Sequence, residues 1–194
     1  MKTILKSLTL GFVISALALV GCSSLPESLA NSDKNKLGIL IMAGEGFNPI
    51  YDDPKDQKVR ATWLDTSKKL AEYLETEIEQ EHHTDAEAAV NLNSTIDSNT
   101  FIAQQFAQKR VDGLIQVRIS HIKNASENTI YLKLAYNAVH YGKNQQGGDT
   151  MIIGKGIEEK YTLVGVNFEG SKTPLNYFTH DFIRKLSQKG FIAD

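Results

Sequence analysis

Leu114–Ile122 (LIQVRISHI) and, after a polar turn, Thr129–Tyr141 (TIYLKLAYNAVHY) form the stretch that decides the fold. In the first run Ile115, Val117 and Ile119 alternate with Gln116, Arg118 and Ser120. In the second, Ile130, Leu132, Leu134, Tyr136 and Ala138 occupy every other position. A period of two puts each set on one face of a strand, and two such runs joined through Asn124–Asn128 predict an antiparallel hairpin. A second turn at Gly142–Asp149 leads to a third strand over Met151–Val164, where Gly154 and Gly156 predict a bulge or an interrupted edge.

Upstream of this meander the periodicity changes. Leu37–Ala43 (LGILIMA) is a continuous apolar run ended by Gly44, the pattern of a strand buried on both faces. Gly44–Lys58 carries two Gly, two Pro and an Asp pair, the composition of a long loop. Val59, Trp63, Leu70, Leu74 and Ile78 recur at helical spacing, with Ser67 in the gap, and predict a helix from Val59 to Gln80. Acidic residues at its end, Glu77 to Glu81, oppose the helix dipole and predict fraying there. Ala88–Leu92 reads as a short strand. A second helix is expected over Thr100–Lys109, capped by Ser98 or Asn99 and anchored by Phe101, Ile102 and Phe106. The chain closes with a third helix: Thr173 as cap, Pro174 in the first position, Leu175, Phe178, Phe182 and Leu186 inward, and Gly190 as the stop, with Phe191 packing back. The fold class is therefore α/β, a mixed sheet of about four to five strands with an antiparallel meander, packed by about three helices.

The amino terminus carries a different kind of signal. Lys2 and Lys6 precede an uncharged apolar stretch, Leu8–Val20, which is too short to span a bilayer of about 30 Å as a helix. It ends in Leu19-Val20-Gly21-Cys22, which resembles a bacterial lipobox. The resemblance implies a signal peptide over 1–21, cleavage after Gly21, diacylglyceryl transfer to the Cys22 thiol and acylation (palmitate) of the new amino terminus. Two or more acyl chains give stable anchoring, at about 0.8 kcal/mol per buried methylene. Ser23 stands where an Asp favours inner-membrane retention in lipoproteins, so the resemblance implies the outer membrane, on its periplasmic leaflet. Residues 22–36 read as a lipidated flexible tether and 37–194 as one periplasmic α/β domain.

Removing 21 of the 194 residues leaves 173, and losing Lys2 and Lys6 leaves 19 Lys+Arg against 23 Asp+Glu, a net charge of −4. An acidic body excludes nucleic acid as the expected partner, because phosphate binding needs a basic face. Cys22 is the only cysteine, so no disulfide within the chain is expected.

Catalytic and metal-binding patterns do not assemble. Gly44-Glu45-Gly46 lacks the third Gly or the Lys-Ser/Thr of a phosphate-binding loop and reads as a strand-ending turn. His82-His83 are adjacent and diverge; with Asp85 and Glu87 they read as solvated polarity. Glu45, Asp52, Asp53 and Asp56 lack the spacing of a calcium loop. His121 and His140 fall at opposite ends of the hairpin, and His180 with Asp181 reads as a surface pair on the closing helix. Ser120-His121 has no Gly-x-Ser-x-Gly context. No enzyme, cofactor or metal is expected.

Aromatic residues offer the other candidates. Phe47, Ile50 and Tyr51, set among turn residues, are the predicted partner-binding anchors. Tyr131, Val139 and Tyr141 lie opposite the main apolar row of the hairpin, and a helix is expected to cover them; left open, they make a partner-binding patch. The order of elements in residues 37–192 resembles that of the small periplasmic α/β domains of LpoB-like and CsgG-like lipoproteins. The expectation is a lipid-anchored, non-enzymatic accessory module of the outer membrane that binds an envelope protein in assembly, transport or cell-wall control. Its alternatives are a periplasmic lipid or small-molecule binder and a hydrolase with a site built from the Gly44–Lys58 loop.

Overall fold

In the computed structural model, which describes residues 36–47, 57–123, 128–143, 145, 149–164 and 172–192, the alternating runs pair as their pattern requires. Strand β3 (Arg110–Lys123) and strand β4 (Asn128–Lys143) are antiparallel, with Ile115 opposite Tyr136, Val117 opposite Leu134 and Ile119 opposite Leu132. Every one of these six side chains is buried. Strand β5 (Asp149–Val164) pairs antiparallel with β4. Its register shifts between Asn137 and Val139, where Gly154 and Lys155 of β5 face the single residue Ala138, so the predicted bulge is present. Gly156 is required beside it, because a Cβ there lies 1.6 Å from the Tyr136 carbonyl oxygen.

Strand β1 (Lys36–Gly44) lies between β2 (Ala86–Asn91) and β3 and is parallel to both, giving the sheet order β2-β1-β3-β4-β5. Its apolar run is continuous because both faces are covered: Ile39, Ile41 and Ala43 enter one core, Leu40 and Met42 the other. Helix α1 (Gln57–His82) connects β1 to β2, and helix α2 (Ser98–Phe106) connects β2 back past β1 to β3. The two crossovers run in opposite directions along the sheet, so a common right hand places their helices on opposite faces.

The larger core packs Leu70, Ala71, Leu74 and Ile78 of α1 and Phe182, Ile183 and Leu186 of helix α3 (Lys172–Gln188) on the inner faces of β1, β3 and β4. Ala71 apart, each of these side chains contributes about 1.5–3 kcal/mol by leaving water. The smaller core joins Phe101, Ile102 and Phe106 of α2 to Leu40, Met42, Val111, Leu114 and Val139.

Boundaries differ from the sequence expectation where caps and polar partners intervene. The cap of α2 is Asp97, not Ser98 or Asn99: its carboxylate accepts the N–H groups of Asn99 and Thr100 and the Thr100 hydroxyl. These bonds, led by that from the Thr100 backbone, hold the Asp97 carboxyl below its usual range. The helix ends at Phe106 rather than Lys109. Helix α1 stays helical through His82 despite its acidic end, and His83, at φ 49°, turns the chain. Leu92 falls outside β2 and is exposed. Thr173 lies inside α3, which begins one residue earlier. The stop of α3 is as expected: Gly190 has φ 71°, the Gly190 N–H reaches the Ser187 carbonyl at 2.7 Å, and the Phe191 N–H reaches the Leu186 carbonyl at 3.0 Å. Phe191 then packs against Tyr136, with ring centroids 4.8 Å apart.

Candidate functional site

The sequence placed its best docking anchors in the loop after β1. Phe47 is not one of them: it is only 1% exposed and packs edge-on against Phe101, 6.1 Å between centroids. The cause is the turn. Gly44 at φ 95° and Gly46 at φ 79° reverse the chain tightly, the first against Asn91 and the second against Asp97 and Ser98, so Phe47 folds back over Leu40 and Met42. Ile50 and Tyr51, like Cys22 and the acids Asp52, Asp53 and Asp56, lie outside the described residues.

The turn is fastened by groups that no sequence pattern singled out. Asn91 is buried and donates from Nδ2 to the carbonyls of Glu45 and Ile96, both at 2.9 Å. The Glu45 N–H returns a bond to the Asn91 carbonyl at 2.8 Å. The Glu45 carboxylate, also buried, receives Arg60 from Nε at 2.7 Å and Nη2 at 2.5 Å. Local spacing gives no signal for these contacts, which are 46 and 15 residues apart in sequence.

Among the described residues, the face of the sheet that carries α2 is covered at one end only. There Val139 is buried, and Tyr141 accepts the Val111 N–H on its phenol at 2.9 Å beneath the Arg110 guanidinium. The expected helical cover therefore holds for these two. It fails for Tyr131, which is 41% exposed. Among the described residues, no helix covers the far end of this face. Arg118 of β3, Lys133 of β4 and Lys160 of β5 stand directly opposite one another across it, three cations in one row. The row beside it holds Gln116, Ala135 and Glu158, and the next one Tyr131 and Thr162. Glu158 takes both Lys133 at 2.5 Å and Lys160 at 3.3 Å, and these bonds, led by that from Lys133, hold its carboxyl below the usual range. Arg118 binds Gln116 Oε1 at 2.6 Å. Among the described residues, one carboxylate against three cations leaves the patch basic on a chain that is acidic overall.

On the other side of the sheet, α1 and α3 run side by side with a shallow open groove of about 530 Å³ between them, bordered by Tyr73, Asn176, Tyr177 and Thr179. Tyr177 is 66% exposed along it. His180 does not pair with Asp181 as the sequence suggested. Asp181 turns to Tyr161, Arg184 and Lys185, whereas His180 Nδ1 lies 2.7 Å from Glu77 Oε1. Glu77, Glu81 and His180 bring ligand atoms within 4.8 Å of one another and are the residues here that could hold a metal ion. Glu77 and Glu81 share a helix face through their i,i+4 spacing, but the approach of His180 comes from an element 99 residues beyond Glu81, which local periodicity does not encode.

No protein-family model matches the chain, and no curated protein matches its sequence. Among solved structures, the lipoprotein GNA1162 from Neisseria meningitidis is 10% identical, with 78% of this chain and 99% of that chain covered at a TM-score of 0.29. The hypothetical protein CT253 from Chlamydia trachomatis is 11% identical, with 80% and 96% covered at a TM-score of 0.28. Likeness at this level says nothing of activity.

Proposed function

We propose that this chain is a lipid-anchored accessory module of the bacterial envelope, acylated at Cys22 and held by residues 22–36 on the periplasmic leaflet of the outer membrane, which binds an acidic surface of an envelope protein. The observation that carries the binding reading is the row Arg118–Lys133–Lys160 beside exposed Tyr131. Like charges directly opposite on adjacent strands weaken a sheet. Local rules that a sequence breaks without gain to the fold mark functional surfaces. Basic side chains next to an exposed tyrosine supply steering and an anchor for an acidic partner.

The test is crosslinking in living cells with the full-length lipoprotein. A photoreactive residue replaces Thr162, next to Tyr131, and the variants Tyr131→Ala and Lys133→Glu/Lys160→Glu are run in parallel. One dominant envelope protein, lost in both variants while their urea midpoints hold, supports the reading. Crosslinks to lipid alone, or a partner retained by both variants, overturn it.

A further inference from the structure

We propose that Glu77, Glu81 and His180 form a binding site for a divalent transition-metal ion of the Zn²⁺ class. The site lies on the opposite side of the sheet from the basic patch and stands independently of the reading above.

Geometry is the first argument. Metal–ligand bonds of about 2.0–2.1 Å at a tetrahedral angle set neighbouring ligand atoms about 3.3 Å apart. His180 Nδ1 and Glu77 Oε1 are 2.7 Å apart, within hydrogen-bond distance, and the whole triad lies within 4.8 Å. An ion that replaces this hydrogen bond needs the His–Glu77 pair to open by about half an ångström and the Glu81 carboxylate to swing in, to reach the bond lengths of such sites. Glu81 and His180 are exposed side chains, free to make that adjustment.

Charge is the second. Glu77 and Glu81 form a like-charge i,i+4 pair, which destabilises a helix. They also sit in the last turns of α1, where the dipole disfavours anions and His82 is the basic residue of the final turn. Glu77 keeps only 15% of its side chain in water. The contact with His180 ties Glu77 to α3, but it leaves the like-charge pair at the helix end without a full positive partner, and a bound cation supplies one. Two carboxylates balance a divalent ion, and the imidazole selects a borderline metal over Ca²⁺ or Mg²⁺, which take oxygen ligands.

Access is the third. The groove along Tyr73, Asn176 and Tyr177 opens onto Glu77 and His180, and a second recess reaches Glu77, Glu81 and His180 from the side of His82 and Arg184. Arg184, the cation of that recess, is bound to Asp181 at 2.7 Å. Three protein ligands with an accessible fourth position is the pattern of a metal site that accepts water or an external donor.

The experiment uses the full-length chain, purified in detergent and stripped with chelator. Zn²⁺ is titrated calorimetrically and Co²⁺ by its visible absorption. The expected result is one ion per chain, insensitive to excess Mg²⁺ or Ca²⁺. Glu81→Gln and His180→Ala, both at exposed positions, each weaken Zn²⁺ binding at least tenfold, whereas His83→Ala leaves it unchanged. No stoichiometric binding by a folded chain overturns the site. So does affinity that survives both ligand variants, or that follows His83 instead.

Discussion

The Tyr161 hydroxyl donates to Asp181 Oδ2 at 2.9 Å, tying the edge strand β5 to helix α3. Lys185 extends the link, reaching Glu159 at 2.8 Å and Asp181 at 2.9 Å, while Arg184 closes on Asp181 from the next turn. Burial of Asp181 pushes its carboxyl up, but the bonds from Lys185, Arg184 and Tyr161 outweigh it and bring the pKa down to about 2.

Acid stability follows from this carboxylate. Because its folded pKa lies below the ordinary carboxylate value, the stabilisation is fully present above about pH 4 and is lost as pH falls through about 2. It amounts to on the order of 2 kcal/mol. Urea unfolding from pH 7 to pH 2 is expected to show Asp181→Asn less stable by that amount at pH 7, with the difference closing in the acid range. A constant difference across the series refutes the linkage.

Phe47 and Tyr131 separate core from surface. Removing the buried Phe47 ring leaves a cavity against Phe101, so Phe47→Ala costs about 3–5 kcal/mol. Tyr131→Ala, at a 41% exposed position, changes stability by about 0.5 kcal/mol or less. Chemical denaturation of the two variants side by side checks the contrast.

Two glycines of the meander differ sharply. A methyl at Gly156 collides with the Tyr136 carbonyl, so Gly156→Ala forces β4 and β5 apart and costs about 3 kcal/mol or more. At Gly142 the nearest atom to a new Cβ is 3.8 Å away, and Gly142→Ala stays within about 0.5 kcal/mol. Thermal melts distinguish them directly.

Ser67 fills the gap in the apolar stripe of α1 and is fully buried, and its hydroxyl has no hydrogen-bond partner among the described residues. Ser67→Ala removes an unsatisfied polar group and adds a better helix former, so stability rises by about 1 kcal/mol. A fall in the urea midpoint contradicts this.

Much of the architecture is legible in local pattern. The register of β3 against β4 follows from Ile115, Val117 and Ile119 facing Tyr136, Leu134 and Leu132, since a slip of one residue sends every one of them to the other face. The end of α3 follows from Gly190 and Phe191, because only glycine takes a left-handed stop without cost. Local pattern points to Ser98 or Asn99 where Asp97 caps α2, and it offers Phe47 as a surface aromatic because a turn composition says nothing of which way the turn folds.

The sequence by itself determined the elements, their inward stripes, the bulge near Gly154 and Gly156 and the α/β class, all of which are set by spacings of two to four residues along the chain. Only the tertiary structure decided that the turn after β1 buries Phe47, that α2 leaves Tyr131 and the Arg118–Lys133–Lys160 row uncovered, and that His180 meets Glu77 rather than its neighbour Asp181. Those relationships join residues from separate elements, and they are fixed by how helices seat on a twisted sheet, which hydrophobic periodicity within one element cannot specify.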